Sequence, residues 1–79
     1  MTREEVMAMI IEFAANAFKA DINTITADTK IAEELGVAST QRVALSAAID
    51  NEFEVMIPVA RMGNFETIAD LTDFVIDEM

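Results

Sequence analysis

The sequence predicts an all-α fold in which three long helices and one short helix pack into a small bundle, with a long loop between helices one and two. Three observations carry this expectation. Apolar residues recur at three- and four-residue spacing in three separate segments, the period of a helix that buries one face. The pattern Thr-x-x-acid, in which a threonine and a carboxylate cap each other's backbone N–H groups, opens two of those segments, at Thr2–Glu5 and Thr67–Asp70. The one run that might form a strand has no second strand to pair with, so the apolar faces are expected to be hidden helix against helix, with no sheet.

Helix one is expected to start at the chain's beginning. Thr2 and Glu5 form the capping pair, Glu4 and Glu5 suit the positive end of the helix dipole, and Val6, Met9, Ile10, Phe13, Ala17 and Phe18 make one apolar stripe. After Lys19 the pattern dissolves into turn-forming residues, and Ile22, Ile25 and Ile31 are the expected pegs of a long anchored loop with a short helical turn at Ile31–Leu35. Leu35-Gly36 reads as a turn, because glycine adopts positive φ at low cost. Ser39 then stands where a helix takes its N-cap, and a helix of about fifteen residues is expected from there. Leu45, Ala48, Ile49 and Phe53 share its inner face, with Val43 and Ala47 expected to widen it. Pro58 forces Ile57 into an extended conformation and ends that helix beforehand. Val59–Met62, held between Pro58 and Gly63, has room for about one helical turn. Thr67 and Asp70 start the last helix, whose inner face is Ile68, Leu71, Phe74 and Val75.

With 79 residues the chain is one small domain spanning 1–79, and its 53% hydrophobic content separates it from an acidic disordered tail. It contains no cysteine and no histidine, so it carries neither a thiol nucleophile nor the commonest general base and metal ligand. Fifteen acids against five bases give a net charge of −10, which repels nucleic acid and anionic membranes and favours partners with basic faces. The apolar run Val6–Ile11 ends at Glu12, too short to insert in a membrane, and Met1–Glu5 lacks the basic region of a secretory signal; a cytoplasmic monomer is expected. A calcium loop opening at Asp21 would need an oxygen ligand at 25, glycine at 26 and glutamate at 32, whereas the chain offers Ile25, Thr26 and Ala32. No metal site follows. The acid pairs Glu33–Glu34 and Asp77–Glu78 read as solvated surface and not as catalytic dyads.

The stretch Asp28-Thr29-Lys30-Ile31-Ala32-Glu33-Glu34-Leu35-Gly36, then Ser39, Val43, Leu45, Glu52-Phe53 and Ile57-Pro58, closely resembles an acyl carrier protein, without gaps to the C-terminus. Essentially the whole chain takes part. The resemblance implies an acyl-carrier-like bundle that is not an enzyme. A 4'-phosphopantetheine arm would be attached to Ser39, and a phosphodiester there meets a positive helix end. The arm would hold an acyl or related cargo as a thioester in fatty-acid, lipid or secondary-metabolite synthesis. The implied partners are a phosphopantetheinyl transferase and acyl-processing or ligase enzymes with basic docking faces. The family's habit of sheltering its cargo between helices two, three and four would involve Leu45, Ile49, Ile57, Met62 and Ile68, with Ser46 and Ala47 standing where bulkier apolar residues are usual.

Around its serine the family usually carries Asp-Ser-Leu and then further acids, and here the residues are Ala38-Ser39-Thr40, Gln41, Arg42 and Ala44. Charge placement governs encounter rate and partner choice more than affinity, so this surface is expected to select its own set of enzymes. The alternative is an unmodified interaction module that keeps the fold, with Ser39 acting only as a helix cap.

A net charge of −10 on so small a domain is self-repulsive. Moving from low to moderate salt, or adding divalent cations, is therefore expected to raise the melting temperature followed by circular dichroism. A flat or falling melting temperature would contradict this.

Overall fold

A computed structural model describes residues 1–79. Four helices follow in order: α1 (Arg3–Phe18), α2 (Ser39–Phe53), α3 (Val59–Met62) and α4 (Ile68–Glu78). The connection after α1 holds a 3₁₀ turn at Ile22–Thr24 and a π-helical turn at Ile31–Leu35. No strand forms; Lys30 and Thr67 make a single isolated antiparallel bridge.

The ends of α1 and α4 are set locally. Thr2 Oγ1 accepts the Glu5 N–H at 3.2 Å while Glu5 Oε1 accepts the Thr2 N–H at 2.9 Å, so the expected capping box closes α1. The Thr2 N–H bond to the carboxylate is the largest of the effects that hold the Glu5 carboxyl below its ordinary pKa. Thr67 and Asp70 repeat the arrangement at α4. Both α1 and α2 stop on left-handed residues that are not glycine, Lys19 (φ 55°) and Glu54 (φ 57°). Beyond α2, Val55 and Ile57 turn inward while Met56 is 76% exposed, the alternation of an extended segment leading to Pro58.

The core is one cluster of apolar side chains, centred on Val6, Ile10 and Ala14 of α1, Leu45 and Ile49 of α2, and Ile68, Leu71 and Val75 of α4. α1 packs against both α2 and α4, and α2 against α3. Met9, Phe13, Ala17 and Phe74 sit only partly buried at its margin.

Two expectations need correction. Val43 is 48% exposed and Ala47 is also exposed, so neither widens the inner face of α2. Each lies two positions from Leu45, about 200° around the helix, and so points away from the core. In the long connection Ile22 is 47% exposed, and the peg is instead Thr29, 4% exposed. The Thr29 hydroxyl accepts the Thr26 N–H at 2.8 Å, and its carbonyl accepts the Ile68 N–H at 3.1 Å. The neighbouring bonds Ala69 N–H to Ala27 O (2.9 Å) and Ile31 N–H to Glu66 O (2.9 Å) fasten the connection to the start of α4. Ile25 and Ile31 are buried as expected.

Phe53 closes the inner face of α2 at 9% exposure, its ring edge-on to Phe13 with centroids 6.3 Å apart. Phe53→Ala is expected to destabilise the fold by about 3–5 kcal/mol in chemical denaturation, through lost apolar burial and the cavity left behind. Near-parent stability would place Phe53 outside the core.

Candidate functional site

The segment that delivers Ser39 is built from the buried Ile31 onward. The Glu34 N–H donates to the Lys30 carbonyl at 2.8 Å and the Gly36 N–H to the Ile31 carbonyl at 2.9 Å, while Glu34 Oε2 accepts the Lys30 N–H at 2.7 Å. Gly36 then turns with φ +152°, and a Cβ there would stand 3.1 Å from Gln41 Oε1 and 3.4 Å from Phe18 Cδ1. Only glycine suits this point, which requires both positive φ and close approach to α1 and α2. The expected Leu35-Gly36 turn is therefore present, and the chain passes through an exposed Val37 into α2.

The cap itself falls one residue earlier than expected. Ala38, extended at φ −64°, ψ 129°, is the N-cap of α2 and supplies no side-chain hydrogen bond; Ser39 is the first helical residue. The first bond of the helix runs from the Arg42 N–H to the Ala38 carbonyl at 3.0 Å. The N–H groups of Ser39, Thr40 and Gln41 precede it and form the positive end of the helix. Ser39 is exposed and its hydroxyl bonds to no other group of the chain, so it does not act as a cap. Its local register was misjudged because serine is a favoured cap residue and alanine a poor one. An exposed, unengaged hydroxyl beside uncapped N–H groups fits a phosphodiester-linked group.

The seam where a cargo was expected to shelter is packed shut. Leu45, Ile49, Ile57, Met62 and Ile68 are each at most 2% exposed. The Ser46 hydroxyl donates to the Ile57 carbonyl at 2.6 Å, drawing the segment after α2 onto the helix. The small residue at 46 thus lets the helices close up, while Ala47 is exposed and lines nothing here. The hollows of the molecule lie elsewhere. One of about 190 Å³ is an open groove between α1 and α2, floored by Phe13, Ala17, Ala44 and Ala48. The other, about 290 Å³, lies between the π-helical turn and the α3–α4 link, beside Lys30, Glu33, Asn64 and Phe65.

Comparison with known proteins agrees with this geometry. The family model described as the phosphopantetheine attachment site matches residues 9–75. The acyl carrier protein of Onion yellows phytoplasma is 31% identical over 75 residues, covering 95% of this chain and 93% of that protein. The acyl carrier protein of Aster yellows witches'-broom phytoplasma is 29% identical, covering 89% and 92%. That of Thermosynechococcus vestitus is 27% identical, covering 95% and 93%. The chain belongs to the acyl carrier protein family. It is accordingly a carrier and not a catalyst, its cofactor is phosphopantetheine, and its partners are acyl-processing enzymes. No helix is long and apolar enough to cross a membrane.

Ala38→Asp is expected to supply the missing cap, accepting from first-turn N–H groups and meeting the helix dipole, and so to stabilise the fold by about 1 kcal/mol. Thermal or denaturant unfolding measures this. An unchanged or lowered stability would mean that those N–H groups already have partners of equal strength.

Proposed function

We propose that Ser39 is the attachment point of the phosphopantetheine arm and that residues 1–79 act as a single carrier domain delivering a thioester-linked cargo to separate enzymes. The observation that carries this is the placement of Ser39: an exposed hydroxyl, free of internal bonds, on the first residue of α2. In the modification, Ser39 Oγ attacks the phosphorus of coenzyme A nearest the pantetheine. The new Oγ–P bond forms as the pyrophosphate P–O bond breaks. Adenosine 3',5'-bisphosphate leaves with the electron pair, and the hydroxyl proton passes to a base on the transferase. The chain itself contributes the accessible hydroxyl and the electropositive helix start that stabilises the resulting anion. Once attached, the group supplies the thiol that the cysteine-free chain lacks.

Thr40 is the neighbouring hydroxyl, also exposed but β-branched and one residue further into the helix, so it is the poorer acceptor. The departure from the usual acids at Ala38, Gln41 and Ala44 supports a specialised carrier in fatty-acid, lipid or secondary-metabolite synthesis. It would be served by its own basic-faced ligase or transferase and would act as a cytoplasmic monomer.

Incubation with coenzyme A and a broad-specificity phosphopantetheinyl transferase is expected to add one prosthetic group, read by intact mass. Ser39→Ala should abolish the gain and Thr40→Ala should keep it, with circular dichroism confirming that both variants fold. If the chain isolated from its native host carries no added mass, the carrier proposal falls and an unmodified interaction module replaces it.

A further inference from the structure

We propose that Arg42 is a positioning residue for the arm on Ser39, its guanidinium pairing with the phosphodiester and directing the arm toward the α2–α3 seam. This rests on the assignment of Ser39 above.

The chain has five bases, and four of them have other surroundings. Arg3 pairs with Asp73 at 2.9 Å, Lys30 lies 3.9 Å from Glu33, Arg61 stacks over the Phe74 ring at 4.7 Å, and Lys19 is exposed where α1 ends. Arg42 differs from all of them. It is partly buried, forms no ion pair despite the fifteen acids of the chain, and its Nε is buried without a hydrogen-bond partner. A guanidinium N–H withdrawn from water and left unpaired is unfavourable by itself, and an anion arriving beside it would relieve that cost.

Gly63 provides the bed on which this guanidinium lies. A Cβ on Gly63 would stand 3.0 Å from Arg42 Nη1, 3.8 Å from Cζ and 4.0 Å from Nη2. Gly63 has φ −71° and ψ −12°, a conformation open to any residue, so its backbone does not call for glycine. What it supplies is space, and the space is filled by the Arg42 guanidinium, Nη1 foremost, at the end of α3.

Ser39 and Arg42 lie within the first turn of α2. Arg42 is three residues after Ser39, on the adjoining face, and helical side chains lean toward the N-terminus, back over the turn that Ser39 begins. A phosphodiester tethered to Ser39 on a chain of net charge −10 meets a repulsive field from most directions. Arg42 is the cation within one turn of it, and the planar fork of arginine matches two phosphate oxygens at once.

The test compares the unmodified and modified protein by proton and phosphorus NMR after intact mass has shown one group on Ser39. The Arg42 Nε–H resonance, identified by its loss in Arg42→Gln, is expected to shift downfield and to exchange more slowly with water on modification. The phosphodiester resonance is expected to differ between modified parent and modified Arg42→Gln, with Arg42→Lys intermediate because it keeps the charge and loses the fork. An Nε–H resonance that does not respond to modification, with one phosphorus shift shared by all three proteins, overturns the inference while leaving Ser39 as the attachment point. A chain that gains no mass overturns both. The Nε–H comparison is made on the parent protein, so instability of either variant does not remove it.

Discussion

The hydrogen-bonded clasp between the long connection and the start of α4 is the constraint on which the rest of the molecule depends. Residues 19–38 contain no long helix, and a segment of that kind holds a fixed course only if its backbone groups find partners. Here they find the orphan N–H groups of a helix end: Ala27 and Thr29 accept from Ala69 and Ile68, and Ile31 donates to Glu66. Each side satisfies the other. With Ile31 thereby fixed, the π-helical turn and Gly36 have one path to follow, and α2 begins where that path ends, with Ser39 outward.

Charge contributes little to holding this arrangement. The two ion pairs, Arg3–Asp73 and Lys30–Glu33, join side chains that are 47% to 73% exposed, where solvent screening leaves such pairs little weight in stability. The Asp73 hydrogen bond and charge raise the pKa of Arg3, but both groups are in water and screened by it. Stability comes from the apolar cluster, and most of the fifteen acids are left unpaired on the surface. Such a surface suits a carrier that acyl-processing enzymes must find and then release.

Much of this was legible in the sequence wherever the signal is local. The Thr2–Glu5 and Thr67–Asp70 boxes fixed two helix starts, and Pro58 and Gly63 bracketed α3 to the residue, because each acts within a few positions. Gly36 was legible for the same reason. What escaped notice depends on contacts distant in sequence or on conformations with weak preferences. Ile22 and Thr29 exchanged roles because a clasp to α4 decides which of them faces inward, and no periodicity in the connection reports it. Lys19 and Glu54 end helices in a left-handed conformation that glycine would have advertised. Ser39 was placed one residue out because its cap preference is real but unused, which leaves its hydroxyl free of internal bonds. Arg42 stood out only as a departure in charge; its bed on Gly63 requires α2 and α3 to be seen together.

The closed seam between α2 and α3 bears on what an acyl chain would have to displace. The Ser46–Ile57 hydrogen bond contributes about 0.5–1.5 kcal/mol net. Burying one methylene gains about 0.8 kcal/mol, so two methylenes would offset the bond. The bond is therefore not what keeps the seam shut. The larger barrier is the contact among Leu45, Ile49, Ile57, Met62 and Ile68, whose surfaces are already withdrawn from water and gain nothing by exchanging one apolar neighbour for another. A chain directed there must move Ile57 and Met62 outward on the two short pieces after α2, the extended exit and α3, which lie outside the α1–α2 and α1–α4 packing. Met62 has an unbranched, adaptable side chain, and the exit segment is held to α2 by the one Ser46 bond among side-chain hydrogen bonds. Opening would thus be confined to the α3 side of α2, the side on which Arg42 lies against Gly63 and toward which an arm on Ser39 would be drawn.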